Sequence, residues 1–345
     1  MLQLILTLFN RSTMKAAVLH AVHAPLQLSE VATPTPASGE ALVKLQYAAL
    51  NHRDVWIQKG QYAGLKFPII LGSDGAGTVE AVGDAAHREW LGKAVIINPS
   101  LDWGPSELAQ QKSYRILGLP DDGTFAEYVK VPVENLAPKP EHLSFEAAAA
   151  LPLAGLTAYR ALFSRAQLSA HDKVLITGIG GGVALFALQF AVALGAEVWV
   201  TSSSDEKLAR AVSLGAKGGA NYSQPNWSET LQKNAGLFNV ILDSAGGEGF
   251  SALINLAAPG ARVVFVGATR GAVKELALQK IFWKQLSLLG STMGSPADFD
   301  AMLKFVAQHR LTPVIDQTFA LADAEQALRY MEHAKQFGKI SLKIS

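Results

Sequence analysis

Hydrophobic positions along the chain follow two different rhythms. From residue 14 to about 151, short apolar runs at 16–19, 41–47, 77–82, 94–98 and 125–131 sit between clusters of Gly, Pro and Asp, a pattern of short strands joined by turns. One polar stretch, 98–122, is too long for an ordinary connection and predicts a functional or partner-facing excursion. From about residue 172 the period alternates. Strands are predicted at 173–177 and 197–201, helices at 183–194 and 205–214, and further strands at 239–243, 262–267 and 287–292. Ser203, three residues before Glu206, reads as a capping box opening the second helix. Such alternation predicts a doubly wound parallel sheet with helices on both faces. Helical patterns at 297–309 and 322–334 and a last strand at 339–343 are expected to return to the first domain. The division is therefore 14–150 with 295–345 as a mostly β domain, and 151–294 as an α/β domain.

A length of 345 residues agrees with two domains, and 49% apolar against 17% charged residues gives each a sizeable core. The formal net charge of +1 offers no footprint for nucleic acid or an acidic membrane, which leaves a small molecule as the expected partner. The chain has no cysteine, so disulfides and thiolate zinc sites are excluded. Nothing in it requires an oxidising compartment, and a cytoplasmic protein is expected. No apolar run is long enough to span a bilayer. Residues 1–13, apolar but short and without a basic lead or a cleavage site, read as an N-terminal extension, with a cleaved signal peptide as the weaker alternative.

The strongest local signal is Gly178-Ile-Gly180-Gly181-Gly182-Val183-Ala184, after a predicted strand and at a predicted helix start. Glycines there permit a tight turn and let backbone N–H groups and the helix N-terminus face a pyrophosphate. A site for NAD wants a carboxylate about 20 residues further on. This chain instead reads Thr201-Ser202-Ser203-Ser204, followed by Lys207. Hydroxyls and an ammonium suit a 2′-phosphate that an acid would repel, so NADPH is expected over NADH. A solvated helix lysine explains Lys207 equally well, and the missing acid carries more of the inference.

Six segments, in order, resemble the medium-chain dehydrogenase/reductase superfamily, and specifically its zinc-free quinone oxidoreductase and enoyl reductase branch. They are Met14-Lys-Ala-Ala-Val, Ala49-Leu-Asn51-His52-Arg53-Asp54, Gly72-Ser73-Asp74-Gly75-Ala76-Gly77, Gly123-Thr-Phe-Ala-Glu127-Tyr128, Leu156-Thr157-Ala158-Tyr159 and Ser204-Asp-Glu-Lys207. The resemblance implies a GroES-like β domain joined to a Rossmann domain, a cleft between them, and commonly a homodimer. Zinc-dependent relatives carry ligands where this chain is expected to have Asn51, Ser73 and, near the third position, Leu153. Cysteines of the structural lobe would fall in 98–122, which has none. No metal is expected, and His52, Asp54 and Asp74 are not expected to rebuild a site.

Without a Lewis acid, an activated alkene or quinone is the easier hydride acceptor, because hydrogen bonds can stabilise its enolate. Tyr62 resembles by position the proton donor of enoyl-thioester reductases, with a half-buried cleft aromatic as the alternative. Asn51 could bond a ribose or a substrate carbonyl, or serve as a turn residue. Thr157 stands where the family places a hydroxyl near the nicotinamide, or is a buried helix threonine. Gly246, Gly267 and Ala268 end strands on the edge where open α/β sheets bind ligands, and such small residues either let a cofactor approach closely or merely make turns. Tyr222 could stack or bond near the adenosine 2′-phosphate, or equally be packing, and Lys339 resembles the basic residue that relatives set against the pyrophosphate, with a solvated terminal lysine as the alternative. A non-catalytic NADPH-binding sensor or structural protein, or a reductase of simple aldehydes and ketones, remains the alternative.

Overall fold

The computed structural model describes residues 12–345, so the expected extension at 1–13 lies almost entirely outside the described residues. The chain divides into two compact units. The first takes the chain up to Leu153 together with Ser295–Phe299 and Ile315–Ser345; the second takes Ala154–Gly294 and Asp300–Val314. Residues 300–314 therefore belong with the α/β unit, where the sequence pattern had assigned them to the β unit. Among the described residues no helix is long and apolar enough to cross a membrane.

In the β unit, a seven-stranded sheet is built around Glu40–Ala49. That strand pairs antiparallel with Asp74–Val82, with Tyr128–Pro132 and with the last strand, Lys339–Lys343. Ala41, Val43 and Leu45 point into one core with Val79, Val95, Ile97 and Val129, while Leu42 joins a second with Ala16, Leu50, Ile57 and Phe125, the period-two partition expected of a strand covered on both faces. A three-stranded sheet, Gln27–Ala32, Thr13–Leu19 and Ile69–Ile70, borders it. Within the predicted polar excursion, Ser100–Leu101 and Arg115–Ile116 form a short antiparallel pair. Arg115 there bonds Asp102 and Asp121, and Trp103 is buried against Tyr114.

In the α/β unit, six parallel strands lie in the order Gly218–Asn221, Glu197–Ser202, Lys173–Ile176, Phe238–Asp243, Ala257–Phe265, Ser287–Gly290. Numbered by chain order this is 3-2-1-4-5-6, the Rossmann arrangement, whose direction of winding reverses beside the first strand. Val174, Leu175, Ile176, Val240 and Ile241 are all fully buried, as strands covered on both faces require. The helix Gly182–Leu194 ends on Gly195 at φ +97°, the left-handed cap that glycine favours. The cap of the next helix is Ser204, not Ser203: its hydroxyl accepts from Lys207 N at 3.3 Å, so the predicted box with Glu206 does not form.

Candidate functional site

Register brings the polar residues of the β unit together. Ala49 lies opposite Asp74 on one side and Ser341 on the other, and Leu50 N donates to Ile340 O at 2.9 Å. Asn51, at the start of the helix His52–Gln58, therefore emerges between Asp74 and Lys339. Lys339 Nζ donates to Leu50 O (2.7 Å), Asn51 Oδ1 (2.7 Å) and Asp74 Oδ2 (2.9 Å). Asp74 Oδ2 also accepts from Asn51 Nδ2 at 2.9 Å, and its Oδ1 from Leu153 N at 2.8 Å. Asp74 is fully buried and Lys339 is 3% exposed, so the pair persists because both carboxylate oxygens and all three ammonium protons have partners. An ammonium has three donors, and all three of Lys339 are spent here. This corrects the expectation that Lys339 faces the pyrophosphate.

Beside this cluster Asp54 Oδ2 accepts from Asn51 N at 2.8 Å, while its Oδ1 is buried without a hydrogen-bond partner among the described residues. Burial pushes the Asp54 carboxyl up to about 6, against the opposing pull of Arg53, the Asn51 N–H and Lys339. Arg53 donates to Ser73 Oγ (2.7 Å) and to the carbonyls of Leu117 (2.8 Å) and Leu119 (3.4 Å). The half-buried Tyr62 meets this guanidinium, with Nε 3.5 Å from its hydroxyl. Among the described residues no group of three or more His, Asp or Glu side chains is arranged to hold a metal ion.

In the α/β unit, Gly178 at φ +66° and Gly180 at φ +128° make the turn, and Gly181 opens the helix that Gly182 and Val183 begin. A Cβ placed on Gly178 or Gly181 would find no atom within 4 Å, so the turn faces an open cradle of the kind a diphosphate fills. Asp243, 2% exposed, sets this turn against the neighbouring strand end. It accepts from Thr177 Oγ1 at 2.6 Å and from Gly246 N at 2.8 Å. Asp243 was not singled out from sequence as a site residue; an Asp ending a strand was the available signal.

Gly246 and Gly267 have a nearer reason to be glycine than a cofactor. A Cβ on Gly246 would lie 2.9 Å from Gly271 O, and one on Gly267 would lie 3.1 Å from Ser244 O. These contacts zip the loops after the fourth and fifth strands, with Ala268 exposed at their rim. Of the residues expected near the adenosine phosphate, Tyr222 N donates to Ser202 O at 2.9 Å, Ser203 is exposed, and Lys207 lies on the helix that follows. Sequence reasoning missed Arg270, whose guanidinium stands over the Tyr222 ring at 5.6 Å. Thr157 lies in this unit, 7% exposed, with its hydroxyl 3.8 Å from Met293 Sδ.

A GroES-like β unit and a 3-2-1-4-5-6 parallel sheet with an open glycine turn define a class of two-unit oxidoreductases. Comparison makes the assignment narrower. The alcohol dehydrogenase GroES-like domain family matches residues 37–141, and the zinc-binding dehydrogenase family matches residues 182–308. The chain is 36% identical over 345 residues to the zinc-type alcohol dehydrogenase-like protein YogA of Leptosphaeria maculans, covering 94% of this chain and 96% of that one. It is 30% identical over 345 residues to acryloyl-coenzyme A reductase of Metallosphaera sedula, covering 95% and 99%. The crystal structure of an NAD-dependent alcohol dehydrogenase, 38% identical, superposes with a TM-score of 0.90 over 96% of this chain and 100% of that one. The chain belongs to the medium-chain dehydrogenase/reductase superfamily and is an oxidoreductase of it.

Proposed function

We propose that the chain is a zinc-independent, NADPH-dependent reductase that passes hydride to an activated alkene, a quinone or a related carbonyl compound. The observation that carries this reading is the chemistry at the three positions where zinc-dependent relatives bind their metal. Asn51, Ser73 and Leu153 stand there, and two of them are already bound by cations, Lys339 Nζ on Asn51 Oδ1 and Arg53 Nη1 on Ser73 Oγ. An amide, a hydroxyl and an alkyl group are a poor donor set for zinc, and ammonium and guanidinium charges beside them disfavour a second cation. The residues present do not fit the metal.

Nicotinamide fits better. The open cradle at Gly178 and Gly181 suits the pyrophosphate, and Ser202, Ser203, Lys207, Tyr222 and Arg270 offer hydroxyls and positive charge to a 2′-phosphate with no carboxylate at the end of the second strand. Reduced nicotinamide, when bound, supplies the hydride. The chain's part is to hold the acceptor and provide a proton, and the half-buried Tyr62, whose phenol carries an O–H donor, is the proposed source. The acryloyl-coenzyme A reductase relative supports an alkene acceptor.

A second reading, oxidation or reduction of simple alcohols and carbonyls with NAD, is favoured by the name of the 38% identical structure. Oxidation of NADPH and NADH with a panel of enones, quinones and aldehydes separates the two. Faster NADPH oxidation with enones or quinones is expected. NADH-specific turnover of aldehydes alone overturns the proposal, and tight NADPH binding without any turnover points to a sensor.

A homodimer is part of the proposal, with the cytoplasm as its compartment. The edge strand Ser287–Gly290 is paired on one side only, and beside it Leu278, Phe282 and Trp283 are 63%, 66% and 83% exposed. A two-fold axis would pair that strand with its own copy and cover those side chains. Sedimentation should show a dimer that Trp283→Glu weakens; a wild-type monomer would remove this part of the reading.

A further inference from the structure

Arg53 is 7% exposed, yet among the described residues it shares a hydrogen bond with no carboxylate. Its donors go to neutral oxygens. Ser73 Oγ, itself donating to Leu117 O at 2.7 Å, holds Nη1 at 2.7 Å, and the Leu117 and Leu119 carbonyls complete the cradle. These carbonyls come from the 98–122 excursion, whose length the fold alone does not require. The remaining edge of the guanidinium faces Tyr62. Its Nε faces the Tyr62 hydroxyl at 3.5 Å, and its central carbon lies 5.0 Å from the Tyr62 ring centre. Tyr114, from the same excursion, is close enough to feel both residues; burial pushes its phenol above the ordinary range, so it stays neutral.

A buried cation costs free energy unless something anionic repays it. Neutral carbonyls, a serine and the neighbouring Asp54 carboxylate, which lies close enough to be attracted by Arg53, repay part, and a transient negative charge at Tyr62 or on an oxygen bound to it would repay more. The contact at 3.5 Å is the outer limit of a hydrogen bond and would tighten as that charge grows.

We propose that Arg53 is a positioning residue that prepares Tyr62 to act on a carbonyl oxygen becoming anionic, taking over the polarising task that a metal has in zinc-dependent relatives. The proposal rests on the reductase reading above. For an α,β-unsaturated carbonyl, hydride arrives at the β-carbon at the expense of reduced nicotinamide, and the alkene electron pair moves to give an enolate. The Tyr62 O–H bond breaks, its proton goes to the enolate, and the resulting phenolate beside Arg53 regains a proton from water. The substrate gains one hydride and one proton, and Arg53 keeps its charge throughout.

Direct binding of 4-nitrophenolate, an enolate-like oxyanion whose visible absorbance reports its environment, tests this in the full chain without turnover. Wild type is expected to bind it with a spectral shift. Arg53→Met and Tyr62→Phe should each weaken binding by at least about tenfold, the smallest loss expected for a charge-assisted hydrogen bond. The double variant should bind no worse than the weaker single variant, because both remove one device. Arg53→Lys, which keeps the charge but not the fork, should recover part of the loss; if Arg53→Met does not fold, Arg53→Lys takes its place in the cycle. No binding by wild type, equal binding by all folded variants, or simply additive losses overturns the proposal. NADPH affinity, measured on the same samples by calorimetry, should be the same in all. Its absence in wild type would sink the reductase reading and leave the oxyanion result to stand by itself.

Discussion

Asp54→Asn should change how stability depends on pH, because the carboxyl it removes is ionised in a place that penalises charge. Asp54 Oδ2 is satisfied by Asn51 N at 2.8 Å, but Oδ1 is buried without a hydrogen-bond partner among the described residues, and burial outweighs the attraction of Arg53 and Lys339. Folding lifts the group from its ordinary 3.8 to about 6. A raised carboxyl pKa means that the native state holds the proton more tightly than the unfolded chain does. The associated stability is fully present below about pH 4 and is lost as pH rises through about 6. At 1.36 kcal/mol per unit, the full loss is roughly 3 kcal/mol, of which about 2 falls between about pH 4.5 and about pH 8. Asparagine keeps an acceptor for Asn51 N and does not titrate. Its own buried amide shifts stability by a constant without tilting the curve. Urea unfolding of both proteins across that range should show the asparagine variant gaining on wild type by about 2 kcal/mol as pH rises. Two parallel curves would refute the reasoning.

Lys207→Ala and Arg270→Ala should each weaken NADPH binding several-fold more than NADH binding in calorimetric titrations; equal losses for the two cofactors would remove that residue from the 2′-phosphate site. Tyr62→Phe should lower NADPH-dependent turnover of an enone by about 100-fold, within the range of a lost general acid, with cofactor affinity nearly unchanged. Unaltered turnover would show that its hydroxyl is not the acid.

The two-unit architecture could be read from the chain because its signals are local. Strands with strong apolar character, such as 173–176 and 238–243, and the glycine turn at 178–182 each declare themselves within a few residues. Gly218–Asn221 forms a strand without such a signal: two glycines, an alanine and an asparagine carry no alternation, and the strand exists because Glu197–Ser202 pairs with its backbone. The cap moved from Ser203 to Ser204 because three consecutive serines offer the same chemistry and helix register chooses among them.

Lys339 and Arg53 show the deeper reason for what was not legible. Nothing local in the sequence marks a lysine near the C-terminus or an arginine on a first helical turn as buried. Lys339 is buried because strand register places it against Leu50, Asn51 and Asp74, hundreds of positions away. Arg53 is buried because carbonyls 64 and 66 residues downstream close over it. Contacts at that separation leave no mark in local periodicity. The resemblance that sets Asn51, Ser73 and a position near Leu153 against the ligands of zinc-dependent relatives gave no sign that Lys339 bonds Asn51 and Arg53 bonds Ser73.

The central claim is that hydride transfer here proceeds with NADPH and without a catalytic metal. Enone reduction by the full chain, assayed with NADPH before and after exhaustive treatment with a strong zinc chelator, tests it most directly. Unchanged turnover, with zinc far below one equivalent per chain, is the result the account predicts. Loss of turnover on chelation and its return with added zinc would contradict it.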